Sequence, residues 1–178
     1  MRAVLSVGST EFTELVQHAL ALTTLEALGR AGFTQVFAQI GQSQLPSHLQ
    51  LGQQILSSVA LIVDVARFDH ALDEKLGSAE LVIAHAGSGT ILAALNPPPA
   101  SLTGAPSPKR HLILVPNSSL MDDHQLELAI QLKDYPGVVI SSPSDLQQSI
   151  TQVSHLRQQG KGLSAYTERN SRQDDPSF

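Results

Sequence analysis

Three short segments gather the side chains able to handle a phosphorylated ligand, and each directly follows an apolar run. Gly8-Ser9-Thr10 comes after residues 3–7. Glycine lets a ligand approach the backbone closely, and the two hydroxyls can donate to a phosphate or a carbonyl. A plain strand-to-helix turn uses the same residues, so both readings stand. The second segment is His85-Ala86-Gly87-Ser88-Gly89-Thr90. A Gly-x-Gly turn opening a helix presents free N–H groups, and the helix dipole adds partial positive charge there, so a diphosphate is a natural ligand. Leu92, three places after Gly89, breaks the dinucleotide fingerprint, and no Gly-Lys-Ser/Thr is present to make a phosphate-binding Walker loop. A capped turn without a ligand would read the same way, and His85 alone fits a hydrogen-bonded structural role equally well. A branched side chain at Gly87 is expected to crowd a phosphate and strain the backbone. The third segment runs from Asn117 to Glu127. Here His124, Gln125 and Glu127 could bond sugar hydroxyls or simply form the solvated first turn of a helix. His124 follows Asp123 directly and has no second His four places on, so the sequence offers no persuasive metal site.

The elements that must position these segments alternate along the chain. Apolar runs at 3–7, 36–40, 60–65, 81–84, 111–115 and 138–140 read as strands. Helical spacing covers 12–30, 69–76, 122–133 and 145–159, with a further helix opening at 90–95. This alternation predicts βαβ units: an α/β, Rossmann-like parallel sheet of about six strands, with helices on both faces. In such sheets ligands bind beyond the carboxyl ends of the strands, where all three segments fall. Residues 42–52 read as a polar loop. Residues 96–110 hold five of the ten prolines and read as an irregular excursion. The expected organisation is one domain over 1–159, followed by a polar, flexible tail over 160–178. Leu146, Ile150, Val153 and Leu156 form an apolar stripe on the last helix, facing either this chain's own sheet or a partner.

Composition narrows the function classes. With 178 residues, 42% of them hydrophobic, the chain can build a single-domain core. Charged residues make up 15%, against roughly 25% in typical soluble domains, so part of the surface is expected to meet a partner. A net charge of -5, 4% aromatics and no Trp argue against nucleic acid. Without cysteine there is no disulfide, thiolate nucleophile or Cys-ligated zinc, which fits a reducing compartment. The longest apolar stretches, such as 59–63, fall far short of the roughly 20 residues a membrane span needs, so a soluble, cytosolic chain is expected.

Taken together, Val7-Gly8-Ser9-Thr10-Glu11-Phe12, Gln39-Ile40-Gly41, the segment from Leu81 to Thr90 and the segment from Asn117 to Glu127 resemble one family. It is that of the cytosolic catalytic subunit of the eukaryotic UDP-N-acetylglucosamine transferase, which adds the second sugar of the dolichol-linked oligosaccharide. The likeness runs over roughly residues 3–155.

The resemblance implies the donor-binding half of a split, two-Rossmann-domain (GT-B) glycosyltransferase. It implies inverting transfer of N-acetylglucosamine from UDP-N-acetylglucosamine to N-acetylglucosaminyl-diphosphodolichol, with no cofactor and no metal. A membrane-anchored, acceptor-binding subunit would recruit the chain to the cytosolic face of the endoplasmic reticulum. Gly8, Ser9 and Thr10 would border the donor phosphates from one side, and His85, Gly87, Ser88, Gly89 and Thr90 from the other. Asn117, His124, Gln125 and Glu127 would contact the sugar or the nucleotide. The chain shows no general base, which the partner subunit could supply. One departure stands out: Ala93 occupies the place where relatives commonly carry an acidic residue for the ribose hydroxyls. A catalytically weak or inactive UDP-sugar-binding or scaffolding relative is therefore the alternative.

Overall fold

The computed structural model describes residues 1–95, 109–117 and 124–163. Seven strands form one sheet: β1 Arg2–Ser6, β2 Gln35–Gln39, β3 Gly52–Leu56, β4 Leu61–Ala66, β5 Leu81–His85, β6 His111–Val115 and β7 Val138–Ile140. Their order is β3-β4-β2-β1-β5-β6-β7, and every pairing is parallel except β3 on β4. β5 and β6 are buried along their whole length, which is why they read as continuous apolar runs.

Among the described residues six α-helices cover the sheet: α1 Thr13–Ala19, α2 Leu22–Arg30, α3 Leu72–Ser78, α4 Ser88–Leu95, α5 His124–Leu132 and α6 Leu146–Gln158. Leu15, Val16, Leu25, Leu28, Leu146, Ile150 and Val153 fill one core with Val36, Val63 and Ile83 from the sheet. Leu76, Ile91, Ala94, Ala129 and Leu132 fill the other, against Val4, Phe37, Val82 and Leu112. The α6 stripe is thus spent inside the chain's own core, with Leu156 packed at its margin.

The structure corrects the expected elements in three places. The helix expected over 12–30 is two helices, because Ala21 is extended (φ -60°, ψ 144°). Leu15, Val16, Ala19, Leu20, Leu25 and Leu28 are buried on both sides of the break, so helical spacing runs straight through it. The helix expected from residue 69 begins at Leu72, since the Asp69 carboxylate first accepts the Ala71 N–H (2.7 Å) in a capping turn. The sheet also gains β3, which begins on Gly52, the last residue of the expected polar loop. Its residues, Gly-Gln-Gln-Ile-Leu, are largely exposed on a sheet edge, so no apolar alternation marks them.

Packing continues past residue 159. Lys109 Nζ donates to the Gly160 carbonyl (2.5 Å), and His111 Nε2–H donates to that of Lys161 (2.8 Å). Leu163, 6% exposed, exchanges two backbone hydrogen bonds with Arg110. The buried Arg110 guanidinium donates to the carbonyls of Gly77 (2.5 Å) and Ala94 (3.0 Å), and so caps the carboxyl ends of α3 and α4. The rest of the expected tail and residues 96–108 of the excursion lie outside the described residues.

Candidate functional site

Strand register brings the candidate segments to one edge. Ser6 lies level with Gln39 and Ala84, Gln39 with Ala66, and His85 with Val115. The turns after β1, β2, β4, β5 and β6 therefore leave the sheet side by side.

The turn after β1 is held from within. Gly8 has φ +65°, a left-handed conformation that side chains disfavour. Its N–H donates to the Oγ of fully buried Ser6 (3.1 Å), and Thr10 Oγ1 donates to the Val7 carbonyl (2.8 Å). The Thr10 hydroxyl proton is thus engaged with backbone, while Ser9 is exposed.

Facing it is the turn after β5. Thr90 Oγ1 would lie 3.7 Å from a Cβ built on Gly8, so the two turns meet. Between them sits the His85 imidazole, 7% exposed. Its Nδ1–H donates to the Ser6 carbonyl (3.4 Å), and burial pushes its pKa down, so the ring is neutral at pH 7. A Cβ on Gly8 would lie 2.9 Å from His85 Cε1, and one on Gly87 would lie 2.9 Å from both Cδ2 and Cε1. His85 is thus a wedge beneath two glycine turns. Gly87 is outside the left-handed region, so crowding by His85, not its own φ, demands glycine there. Ser88 and Gly89 are exposed at the start of α4, and a Cβ on Gly89 would meet nothing within 4 Å. The N–H groups of this first turn have no helical acceptor, which leaves them for an anion.

Asn117, buried, stands just past β6, and its N–H donates to Gln125 Oε1 (3.1 Å). This bond ties the turn to the first turn of α5, where Glu127 is exposed. Residues 118–123 and the His124 side chain lie outside the described residues. Ala93 is half-buried on α4 and packs against the second core.

Sequence reasoning assigned no site role to four residues at this edge, although Gln39 lies in the Gln-Ile-Gly segment that carries the resemblance. Ser43 Oγ accepts the Phe12 N–H (2.8 Å), and Arg67 Nη1 donates to the carbonyls of Gly41 (3.0 Å) and Ser43 (3.2 Å). Gln39 is buried at the end of β2, and Phe68 is 58% exposed after β4. By residue type alone only Phe68, an aromatic between Arg67 and Asp69 just past an apolar run, offered a signal, and Gln39 entered through the resemblance. The carboxylate of Asp69 is paired with Lys75, which holds it below the usual range. Among the described residues, no three His, Asp or Glu side chains come together to hold a metal, and no helix is long and apolar enough to cross a membrane.

Comparison with known proteins bears on the family and the fold. Residues 3–174 match the model of the glycosyltransferase family 28 C-terminal domain. The chain is 31% identical over 169 residues to the UDP-N-acetylglucosamine transferase subunit ALG13 of Cryptococcus neoformans, covering 83% of this chain and 80% of that one. The mouse protein of the same name is 34% identical over 131 residues, which are 74% of this chain but 10% of the mouse protein. An NMR solution structure of ALG13 superposes with a TM-score of 0.58 at 23% identity, covering 92% of this chain and 87% of that one. The crystal structure of MurG from Acinetobacter baumannii gives 0.55 at 20% identity, with 87% of this chain matching 42% of that one. The fold is that of one Rossmann-like half of a GT-B glycosyltransferase, and the chain belongs to the glycosyltransferase family 28 C-terminal domain family.

Proposed function

We propose that this chain is the donor-binding subunit of an N-acetylglucosaminyldiphosphodolichol N-acetylglucosaminyltransferase. It works with a membrane-anchored, acceptor-binding subunit at the cytosolic face of the endoplasmic reticulum. The relatives' name, UDP-N-acetylglucosamine transferase subunit, supports the donor. The observation that carries the reading is the meeting of the Gly8 turn with the open first turn of α4 at the strand ends.

In this reading the acceptor 4-hydroxyl oxygen attacks the anomeric carbon of the donor sugar from the face opposite UDP. The bond from that carbon to the β-phosphate oxygen breaks, and its electron pair leaves on UDP. Backbone N–H groups of residues 87–90 and the helix dipole meet the developing charge, with Gly8 and Ser9 closing the other side. Asn117, His124, Gln125 and Glu127 hold the sugar or the nucleotide, and Phe68 offers the base an apolar surface. The acceptor proton goes to a base on the partner subunit. No metal is required.

Co-expression of the chain with its acceptor-binding subunit tests this. The complex should transfer N-acetylglucosamine to a lipid-linked N-acetylglucosaminyl diphosphate, and turnover should persist in a chelator. The chain alone should be inactive. Full activity from the chain by itself, or none from a complex that assembles, overturns the reading. Ala93 favours a second reading, in which the chain binds the UDP-sugar weakly and transfers little.

A further inference from the structure

Gln39 closes β2, the strand between β1 and β4, and its side chain is spent on the turns that follow those two neighbours. Only 6% of the residue is exposed. Its Nε2–H donates to the Gly8 carbonyl (3.2 Å), and its Oε1 accepts the Asp69 N–H (2.9 Å). One buried amide thus links the turn carrying Ser9 to the turn carrying Phe68.

We propose that Gln39 is a positioning residue for the donor, fixing the spacing of the Gly8 and Phe68 turns and so setting affinity for UDP without touching it. This rests on the reading of that edge as the donor site. The task needs one donor and one acceptor at opposite corners of a short planar group, which an amide supplies. An ionised carboxylate offers acceptors only, so the Gly8 carbonyl would face a negative charge while Asp69 N–H stayed bonded. A protonated carboxyl regains one donor. Methionine fills the space and offers neither.

The charged and titratable groups of the joined turns are Glu11, Arg67, His70 and Asp69, the last paired with Lys75, and His85 is wedged against Gly8 from β5. Expressing each affinity relative to the native chain at the same pH cancels their effects. Calorimetric titration with UDP at pH 7.5 and 5.5 should then separate the variants. Gln39→Glu should bind about tenfold more weakly at pH 7.5, the scale of one unsatisfied buried acceptor, and recover to within about threefold at pH 5.5. Gln39→Met should be weakened equally at both. Circular dichroism establishes folding, and Met, being apolar, keeps the test available if the buried Glu unfolds the chain at pH 7.5. Native affinity in either folded variant, or a Glu deficit that ignores pH, overturns the proposal.

Amide exchange decides the same point without a ligand. Gln39→Met should lose protection at Asp69 and around Gly8, whereas Gln39→Glu at pH 7.5 should lose it around Gly8 alone. Unchanged protection in both variants contradicts the role of Gln39. If the native chain binds no UDP while protection shifts as stated, the donor reading fails and the bridging role of Gln39 stands alone.

Discussion

Replacing Gly87 with alanine adds one methyl group where the His85 ring already lies. Ring atoms Cδ2 and Cε1 stand 2.9 Å from the new carbon and Nε2 stands closer still, all inside van der Waals contact. Relief by swinging the ring is blocked, because the same Cε1 stands 2.9 Å from where a Cβ on Gly8 would be, against the backbone of the opposite turn. The variant must shift the α4 turn or give up the His85–Ser6 hydrogen bond. Overpacking of this kind costs about 1–3 kcal/mol, and the lost hydrogen bond about 1 kcal/mol. For a domain of this size that corresponds to about 2–4 °C in Tm per kcal/mol. A double-mutant cycle isolates the wedge. His85→Ala leaves a cavity that the Gly87→Ala methyl can partly occupy, so the double variant should be more stable than the two single losses predict. The coupling should be about 1 kcal/mol or more, read by urea unfolding of all four proteins. Strict additivity would show that His85 and Gly87 do not share this space.

Leu163→Ala should cost about 2–3 kcal/mol in urea unfolding and expose the Lys161 bond to trypsin, because Leu163 fastens the segment after α6 to Arg110; native stability would refute that fastening. Burial lowers the pKa of both His85 and His111, so their contribution to stability is complete above about pH 6.5 and is lost as pH falls toward their folded values. Between pH 7 and 5 each group can contribute a slope of up to about 1.4 kcal/mol per pH unit, a window that lies above that of the Asp69 carboxylate. His111→Gln keeps a donor for the Lys161 carbonyl and removes one titration, so its stability profile should be flatter than that of the native chain; an equally steep profile contradicts the assignment. Ala93→Glu restores the acid of the resembled family and should tighten UDP binding by about tenfold, with no gain in a folded variant telling against a ribose contact at that position.

How much of this was legible in the sequence follows burial. Strands buried on both faces, such as Leu-Val-Ile-Ala-His and His-Leu-Ile-Leu-Val, announce themselves as apolar runs. β3 does not, because an edge strand pairs through backbone and its side chains face water. The division of the first helix was hidden because both halves bury the same spacing of Leu and Val. The turns of the site were visible as glycine and hydroxyl residues after strands. That the turns after β1 and β5 face each other came only from the family resemblance, since sequence order alone does not reveal that these two strands are neighbours. Gln39 was least legible of all. A glutamine at a strand end usually faces solvent, and only the fold shows this one buried between two turns.

The central claim is that UDP binds where these turns meet, and heteronuclear NMR of the ¹⁵N-labelled chain titrated with UDP tests it most directly. Saturable shifts should appear at Gly8–Thr10 and Ala86–Thr90, extend to Asn117 and Gln125, and leave the opposite end of the sheet around Arg2, Arg110 and Lys161 unmoved. Shifts confined to that opposite end, or none at millimolar UDP, would contradict it.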